Sequence, residues 1–531
     1  MLSNKHIQLI ALLLALLTGA ISLSQEIIWI RVLGFATASR PETFAHTLGS
    51  FLIGIAIGAM IGRRICVSKQ DFISSAAWML GLSSFIFYFS LPLAAKLTSA
   101  IHYWPVLGMV CLTAAIAGGI FPLICQLSAV QGSAGKTVSM VYLVNIIGAT
   151  LGSLFTGFVL LDKMPLNQVA GITASAGAIA AALVFAMSQA TVLVRFRGIA
   201  FALMVASAPM FLGESIFSGF LENLQYEKKY PRDQPFKKIV QNRSGIITVD
   251  DALNPGDADI IYGGGIYDGR YAIDPRSPNG IYRCYMIAAL HPEPTHVLEI
   301  GLSSGSWAAA LLRHEALEKL QIVEINPGYL DIIKDYEEHR KIIKNPKVEI
   351  NIDDGRRWLR RQPDNVKFNF MLMNTTFHWR SHASNLLSVE FLNLCKKHLR
   401  PGGVVFYNTT GSDEVVRTAA EVFKHVTMVG NFVAASDSPF SINSEQRRSN
   451  LLRFKDDDGS PTYLRTAEFR SELDRLVKME LPELGTMMRD SEEIGVITDD
   501  NMASEFTKRK GYWFSKENSW ANLFRKFKEN R

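Results

Sequence analysis

The sequence predicts two architectures in series: a multi-span α-helical membrane domain, then an α/β Rossmann-like soluble domain with a small β layer at its start. Three observations carry this reading. Long apolar runs fill the chain up to about Gly213, although hydrophobic residues make up 48% of the whole. Beyond that point the charge density is that of an ordinary soluble domain. From about residue 291, short apolar strands alternate with helices, the pattern of right-handed crossovers and a doubly wound parallel sheet.

The apolar half breaks into seven candidate spans, near 7–30, 43–62, 74–95, 104–127, 139–161, 168–187 and 198–217. Most reach the roughly 20 residues that cross a hydrocarbon core. The first span has no convincing cleavage site and is followed by others, so it reads as retained rather than as a signal peptide. Gly54, Gly58 and Gly62 stand four apart, and Gly148 and Gly152 repeat the spacing. Such faces let helix backbones approach closely, which predicts a compact bundle. Glu26 is expected to pair with Arg31 near a span end. Arg63, Arg64 and Lys69, with Arg195 and Arg197, favour an inside position for their loops. With seven spans that would put the soluble half outside, whereas its expected cofactor is cytosolic. The chemistry is given precedence: an integral protein of a bacterial inner membrane, soluble domain cytoplasmic, with a span count that could be off by one.

The soluble half opens with "SGIITVDDA" and "IIYGGGIYDGRYAI", read as strands with turns at Gly263–Gly265 and at Asp268-Gly269. Then come a helical "IYRCYMIAAL", the strand–turn–helix "THVLEIGLSSGSWAAALLRH", and strands "LQIVEINP", "VEINIDDG", "FNFMLMN" and "GGVVFYNTT" separated by helices. The implied domains are a helical bundle at 1–217, a β-rich subdomain at 226–290, a Rossmann-like domain at 291–455 and a helical extension at 456–531.

In such sheets ligands sit at the carboxyl ends of the strands. Three loops suit a nucleoside. Gly301, Ser303, Ser304 and Gly305 form a turn whose glycines let a ligand approach the backbone. Glu324 ends the next strand, 23 residues after Gly301, where a carboxylate accepts ribose hydroxyls. Asp353, Asp354 and Gly355 end the third, where a carboxylate and an amide could read an adenine edge. Each has a plainer reading as a tight turn or a helix cap. "GLSSGS" lacks the middle glycine that makes room for a pyrophosphate, which points to an adenosyl group without phosphates. S-adenosylmethionine and its decarboxylated form both fit.

These stretches resemble the spermidine synthase (polyamine aminopropyltransferase) family, in its membrane-fused bacterial branch. "YDGRYAID", "VLEIGLSSGSW", "VEINPGYLDII", "IDDGRRWL", "LLSVEFLNLCKKHLRPGGV" and "ITDDNMASEF" carry the resemblance over about 244–506. It implies an S-adenosylmethionine methyltransferase-type fold and aminopropyl transfer from the decarboxylated donor to a small amine. The ribose would fall to Glu324 and the adenine to Asp354 and Gly355. Tyr282 stands at the substrate entry, without the acid that follows it in the family. Where the family keeps an aspartate near the aminopropyl group this chain has Ser304. Where it keeps its catalytic aspartate and a second acid, this chain has Asn374 and Phe377.

Those departures matter because a primary amine with a pKa of about 10.4 is protonated at neutral pH and must lose a proton to attack. Asparagine cannot take it. His378 and His382 are the remaining candidate bases, unless they only cap a helix or bond carbonyls. Phe377 and Trp379 could face a cation with their rings, or simply pack the loop. Arg380 could contact a carboxylate-bearing substrate, in which case intact S-adenosylmethionine and methyl or aminocarboxypropyl transfer become the alternative. A non-catalytic adenosyl-nucleoside sensor is the other.

No third ligand stands near the histidines, so no metal is expected. The net charge of +6 is small for 531 residues, and no basic run is interleaved with aromatics, so nucleic acid is not an expected partner. The expected partners are a lipid bilayer, the amine and, for oligomeric state, a homodimer. The basic tail, "FTKRKGYWF" and "LFRKFKENR", reads as a solvated helix face. Five cysteines without a CxxC pair suit a reducing compartment.

Overall fold

A computed structural model describes residues 4–68, 71–100, 103–128, 134–226, 235–252, 257–374, 377–501 and 503–506. The basic tail lies outside them. The chain divides into two compact units, 1–248 with 264–266, and 249–263 with 267–531.

In the first unit, seven helices among the described residues are long and apolar enough to cross a membrane: Ile7–Ala36, Pro41–Ser68, Phe72–Ala100, Trp104–Ser128, Gly135–Lys163, Leu166–Met187 and Val192–Ile216. Their outward faces carry Leu52, Ile53, Met60, Leu151, Phe158 and Leu203, all exposed, while Trp29, Phe51, Phe87 and Tyr88 are buried between helices. The glycine spacing is explained by contact. A Cβ at Gly54, Gly58 or Gly62 would collide with the backbone of Cys111, Ala115 or Gly119 respectively. One at Gly148 or Gly152 would collide with Leu16 or Ala20. Small residues here set the interhelical distance. Arg31 donates to the main-chain carbonyls of Asn242 and Arg243 rather than to Glu26, because two backbone acceptors lie within its reach. Strands β1 (Lys238–Asn242) and β2 (Gly245–Asp250) follow.

The second unit contains β3 (Ile260–Gly263) and β4 (Ile266–Arg270), save Ile266. The turn expected at Gly263–Gly265 falls at Gly264–Gly265, whereas Asp268-Gly269 is not a turn but lies inside β4. Next come β5 (His296–Ile300), β6 (Lys319–Glu324), β7 (Val348–Ile352), β8 (Phe368–Met373), β9 (Leu399–Asn408), β10 (His425–Val429) and β11 (Phe432–Ser436). They form one sheet in the order β7-β6-β5-β8-β9-β11-β10. The first five strands in that order are parallel. The last two correct the expectation of a wholly parallel sheet, since β11 runs antiparallel to both β9 and β10. A two-residue Gly430-Asn431 turn, with Gly430 at φ +60°, closes that hairpin.

Side chains of β5, β8 and β9, including Leu298, Met371, Val405 and Tyr407, pack with Phe391, Leu392 and Val416 from covering helices, all buried. Each such burial stabilises by about 1.5–3 kcal/mol. Helix Val389–Lys397 starts where the Ser388 hydroxyl accepts from the Phe391 amide at 3.2 Å. The strand order reverses direction between β5 and β8, so the connections leaving their carboxyl ends turn to opposite sides and leave a gap beyond the paired strand ends. That gap fixes where a ligand would lie.

Candidate active site

Gly301 leaves β5 with φ +89°, and a Cβ on it would sit 3.2 Å from the carbonyl of Asn374 at the end of β8. The Asn374 amide donates to the Ile300 carbonyl at 3.2 Å, which closes the base of the gap. Ser303 takes a left-handed φ of +50°, unusual without a local anchor, and its hydroxyl donates to the Asp268 carbonyl at 2.8 Å. Gly305, at φ +75°, precedes the helix Ser306–Leu312. Ser304 is buried and turned inward, donating to the Ser306 hydroxyl at 2.9 Å. It therefore does not stand in for a carboxylate.

Glu324 is buried at the end of β6. One carboxyl oxygen accepts from the Leu302 amide at 2.7 Å and the other from the Asn326 amide at 2.8 Å. Burial outweighs these bonds and, with the nearby Asp268 charge, lifts its pKa to about 7. Asp353 accepts from the Asp354 amide and pairs with Arg357. Asp354 caps the helix Gly355–Arg360 through Oδ1, which accepts from the Arg357 amide at 2.7 Å. Gly355 packs against β5, where a Cβ would fall 2.5 Å from Ile300 Cγ2. The plainer cap reading of Asp354 is thus realised, and its Oδ2 is not used by the cap.

In the loop after β8, Phe377 and Trp379 stack on each other with centroids 5.4 Å apart. The His378 amide and its Nδ1 both approach the Thr410 hydroxyl, at 2.9 and 2.7 Å. His382 has φ +66° and is held by its backbone, its amide donating to Glu505 at 3.0 Å. Ser384 donates to the same carboxylate. Tyr282 lies under the Arg475 guanidinium, 4.8 Å from its ring centroid, and its hydroxyl takes the space a side chain at Gly430 would need. Beside it, Arg283 donates to Gly280, Asn279 and Asn431 and covers the Phe432 ring. The position after Tyr282 therefore carries a cation.

Three participants escaped the sequence reading. Asp268 accepts from the Tyr329 hydroxyl at 2.5 Å, in space left by Gly263. Its carboxyl pKa is raised by burial, against the pull of Tyr329 and of the Arg380 charge. Thr410 anchors His378, and Glu505 anchors the loop at His382 and Ser384. Asp268 was hidden because a D-G pair between apolar runs reads as a turn. Thr410 carries no local signal, and Glu505, though inside the quoted "ITDDNMASEF", gives no sign of its partners His382 and Ser384, more than 100 residues away.

The spermine/spermidine synthase domain model matches residues 285–438. Similar curated proteins include the polyamine aminopropyltransferase of Aeropyrum pernix, 27% identical over 31% of this chain and 55% of that one. Polyamine aminopropyltransferase 2 of Hyperthermus butylicus is 30% identical over 29% and 56%. The chain spans about half the length of these relatives or less. A solved spermidine synthase from Thermotoga maritima is 18% identical, covering 38% of this chain and 73% of that one with a TM-score of 0.31. The matched stretch, residues 285–438, is thus similar to a spermine/spermidine synthase domain, and it shares its chain with seven long apolar helices among the described residues.

Proposed function

We propose that this protein is a membrane-bound transferase that takes an adenosyl sulfonium donor and moves an alkyl group from its sulfur to an amine, in the manner of an aminopropyltransferase. The observation that carries the reading is Glu324, a buried carboxylate fixed by two backbone amides beside the side-chain-free Gly301. Each of its oxygens keeps a lone pair for a ribose hydroxyl. Asp354 Oδ2 and the Gly355 amide would take the adenine, and the β5–β8 gap would take the sulfonium. The donor supplies an electrophilic carbon next to a positively charged sulfur.

The chain's own contribution is to orient the acceptor amine and remove its proton. Asn374 orients it with its amide. With a proton on Nδ1 donated to Thr410, His378 presents Nε2 as the base, replacing the missing aspartate. His382, fixed through its backbone, and Tyr282 would border the acceptor, with the Phe377 and Trp379 faces lining it. The seven helices would anchor the protein in an inner membrane with the domain on the cytoplasmic side, where such donors are made.

The test is product analysis with full-length protein, supplied with decarboxylated or intact S-adenosylmethionine and a diamine. Methylthioadenosine with an aminopropylated amine is the expected product of the decarboxylated donor. His378→Gln should lower turnover by about 10²–10⁴-fold, the usual worth of a general base. A nucleoside product from neither donor overturns the transferase reading. A second reading, transfer from intact S-adenosylmethionine, is favoured by Arg380, whose charge reaches Asp268 and Tyr329.

A further inference from the structure

The apolar core of the helical bundle is interrupted. One buried cluster holds Ile21, Leu80 and Ala180, and another holds Ile28, Phe87 and Ala174. The break between them therefore falls on three helices, Ile7–Ala36, Phe72–Ala100 and Leu166–Met187. Every residue buried within it is polar or no larger than alanine, among them Gln25, Glu26, Ser83, Ser84 and Gly177. Contacts bring the three helices to one level. A Cβ at Gly177 would fall 2.3 Å from Ser84 Oγ and 3.6 Å from Ile21 Cγ2, and the Trp29 ring stands edge-on to Phe87 at 6.4 Å. Gln25 lies one turn from both Ile21 and Trp29 on the same helix face, so it looks into the interval between Ser84 and Phe87.

These polar groups do not pair with one another. Gln25 is fully buried, and neither its Oε1 nor its Nε2 has a hydrogen-bond partner among the described residues. The buried Ser83 hydroxyl and the Trp29 indole N–H lack one there too. Glu26 is 9% exposed, and Arg31, the cation nearest to it in sequence, is held by the carbonyls of Asn242 and Arg243 instead. Burying a carboxyl and several unpaired dipoles is costly unless a ligand pairs with them.

We propose that this break is a binding site for a small aliphatic diamine carrying a single charge. Glu26 takes the ammonium, and Gln25 Oε1 and the Ser83 oxygen accept its remaining N–H bonds. One carboxylate balances one charge, so the second nitrogen enters uncharged and accepts from Gln25 Nε2 and Trp29 Nε1. A dication would bring an unpaired charge into the bundle, and a monoamine would leave the two donors unpaired. The inference rests on the bundle alone and holds whatever the soluble domain catalyses.

Binding of 1,4-diaminobutane to the full chain in nanodiscs, with no adenosyl donor present, tests it. The diamine carries two charges in neutral solution, so binding should release at least one proton, read by calorimetry in two buffers of different ionisation enthalpy. Butylamine should bind at least about tenfold more weakly. Glu26→Gln should weaken diamine binding by about 10–100-fold, the worth of a hydrogen bond to a charged group. Gln25→Leu should weaken it by about tenfold without lowering the thermal unfolding midpoint, since it removes an unpaired buried group. That variant keeps the test open should Glu26→Gln misfold. No binding, no proton release, or butylamine bound as tightly overturns the site. Binding that survives Glu26→Gln but is lost in His378→Gln belongs to the soluble domain and overturns it as well.

Discussion

At the scale of single residues, the site's behaviour turns on two buried acids. Glu324 must be ionised to accept two ribose hydroxyls, yet burial lifts its pKa to about 7. Below that value the free protein holds a proton that ligand must displace. Methylthioadenosine, which does not itself titrate near neutrality, should therefore bind about tenfold tighter per pH unit as pH rises toward 7, and level off above it. Calorimetry at several pH values checks this, and Glu324→Gln should flatten the profile while weakening binding. Glu299 on β5 is fully buried, and both its oxygens lack a hydrogen-bond partner among the described residues. Burial raises its pKa well above the ordinary 4.5, with the Glu324 charge adding to the shift. The folded protein thus keeps Glu299 neutral while the unfolded chain ionises it above about 4.5, so this side chain costs stability as pH rises from there. Glu299→Gln should gain on the unaltered protein over that interval by up to about 1.4 kcal/mol per pH unit in thermal unfolding. Parallel curves would show that Glu299 is solvated or paired.

At the scale of elements, the sequence disclosed what is periodic and concealed what depends on partners. The β5–β9 strands and the loops at their carboxyl ends were legible because apolar runs and glycine turns are local. The hairpin "HVTMVGNFVAAS" went unread, although its Gly-Asn pair between apolar runs is a two-residue turn signal. Asp268 was mistaken for a turn residue because nothing near it in the sequence announces Tyr329. The glycine-spaced faces, by contrast, were readable and have a measurable consequence. Gly58 faces the Ala115 carbonyl, so Gly58→Ile must push two helices apart and should cost about 3 kcal/mol of bundle stability. Gly108 has nothing within 4 Å of where its Cβ would be. Gly108→Ala should accordingly be neutral or stabilise by up to about 1 kcal/mol, since alanine is the better helix former. Thermal unfolding in detergent distinguishes the pair, and equal losses would mean that packing does not set the spacing.

At the scale of the whole molecule, a membrane crossed by all seven of the long apolar helices found among the described residues would impose a choice. An odd number puts the helix starting at Asn4 and the residues after Ile216 on opposite faces. The loops bearing Arg63 and Arg64, and Arg195 and Arg197, then share the face of the N-terminus. Basic loops prefer the cytoplasm, whereas an adenosyl sulfonium donor is met there too, and seven crossings cannot satisfy both. The loops bear few charges, and the bias they impose is modest. A domain without its donor, by contrast, has no reaction to perform. The soluble domain is therefore expected inside, with the basic loops outside. In a Cys66→Ser background, Ala190→Cys, between the last two helices, should react with an impermeant maleimide on intact cells. Ser39→Cys, between the first two, should react only after permeabilisation. The reverse pattern would place the domain outside, and the donor would then have to be one that reaches it there.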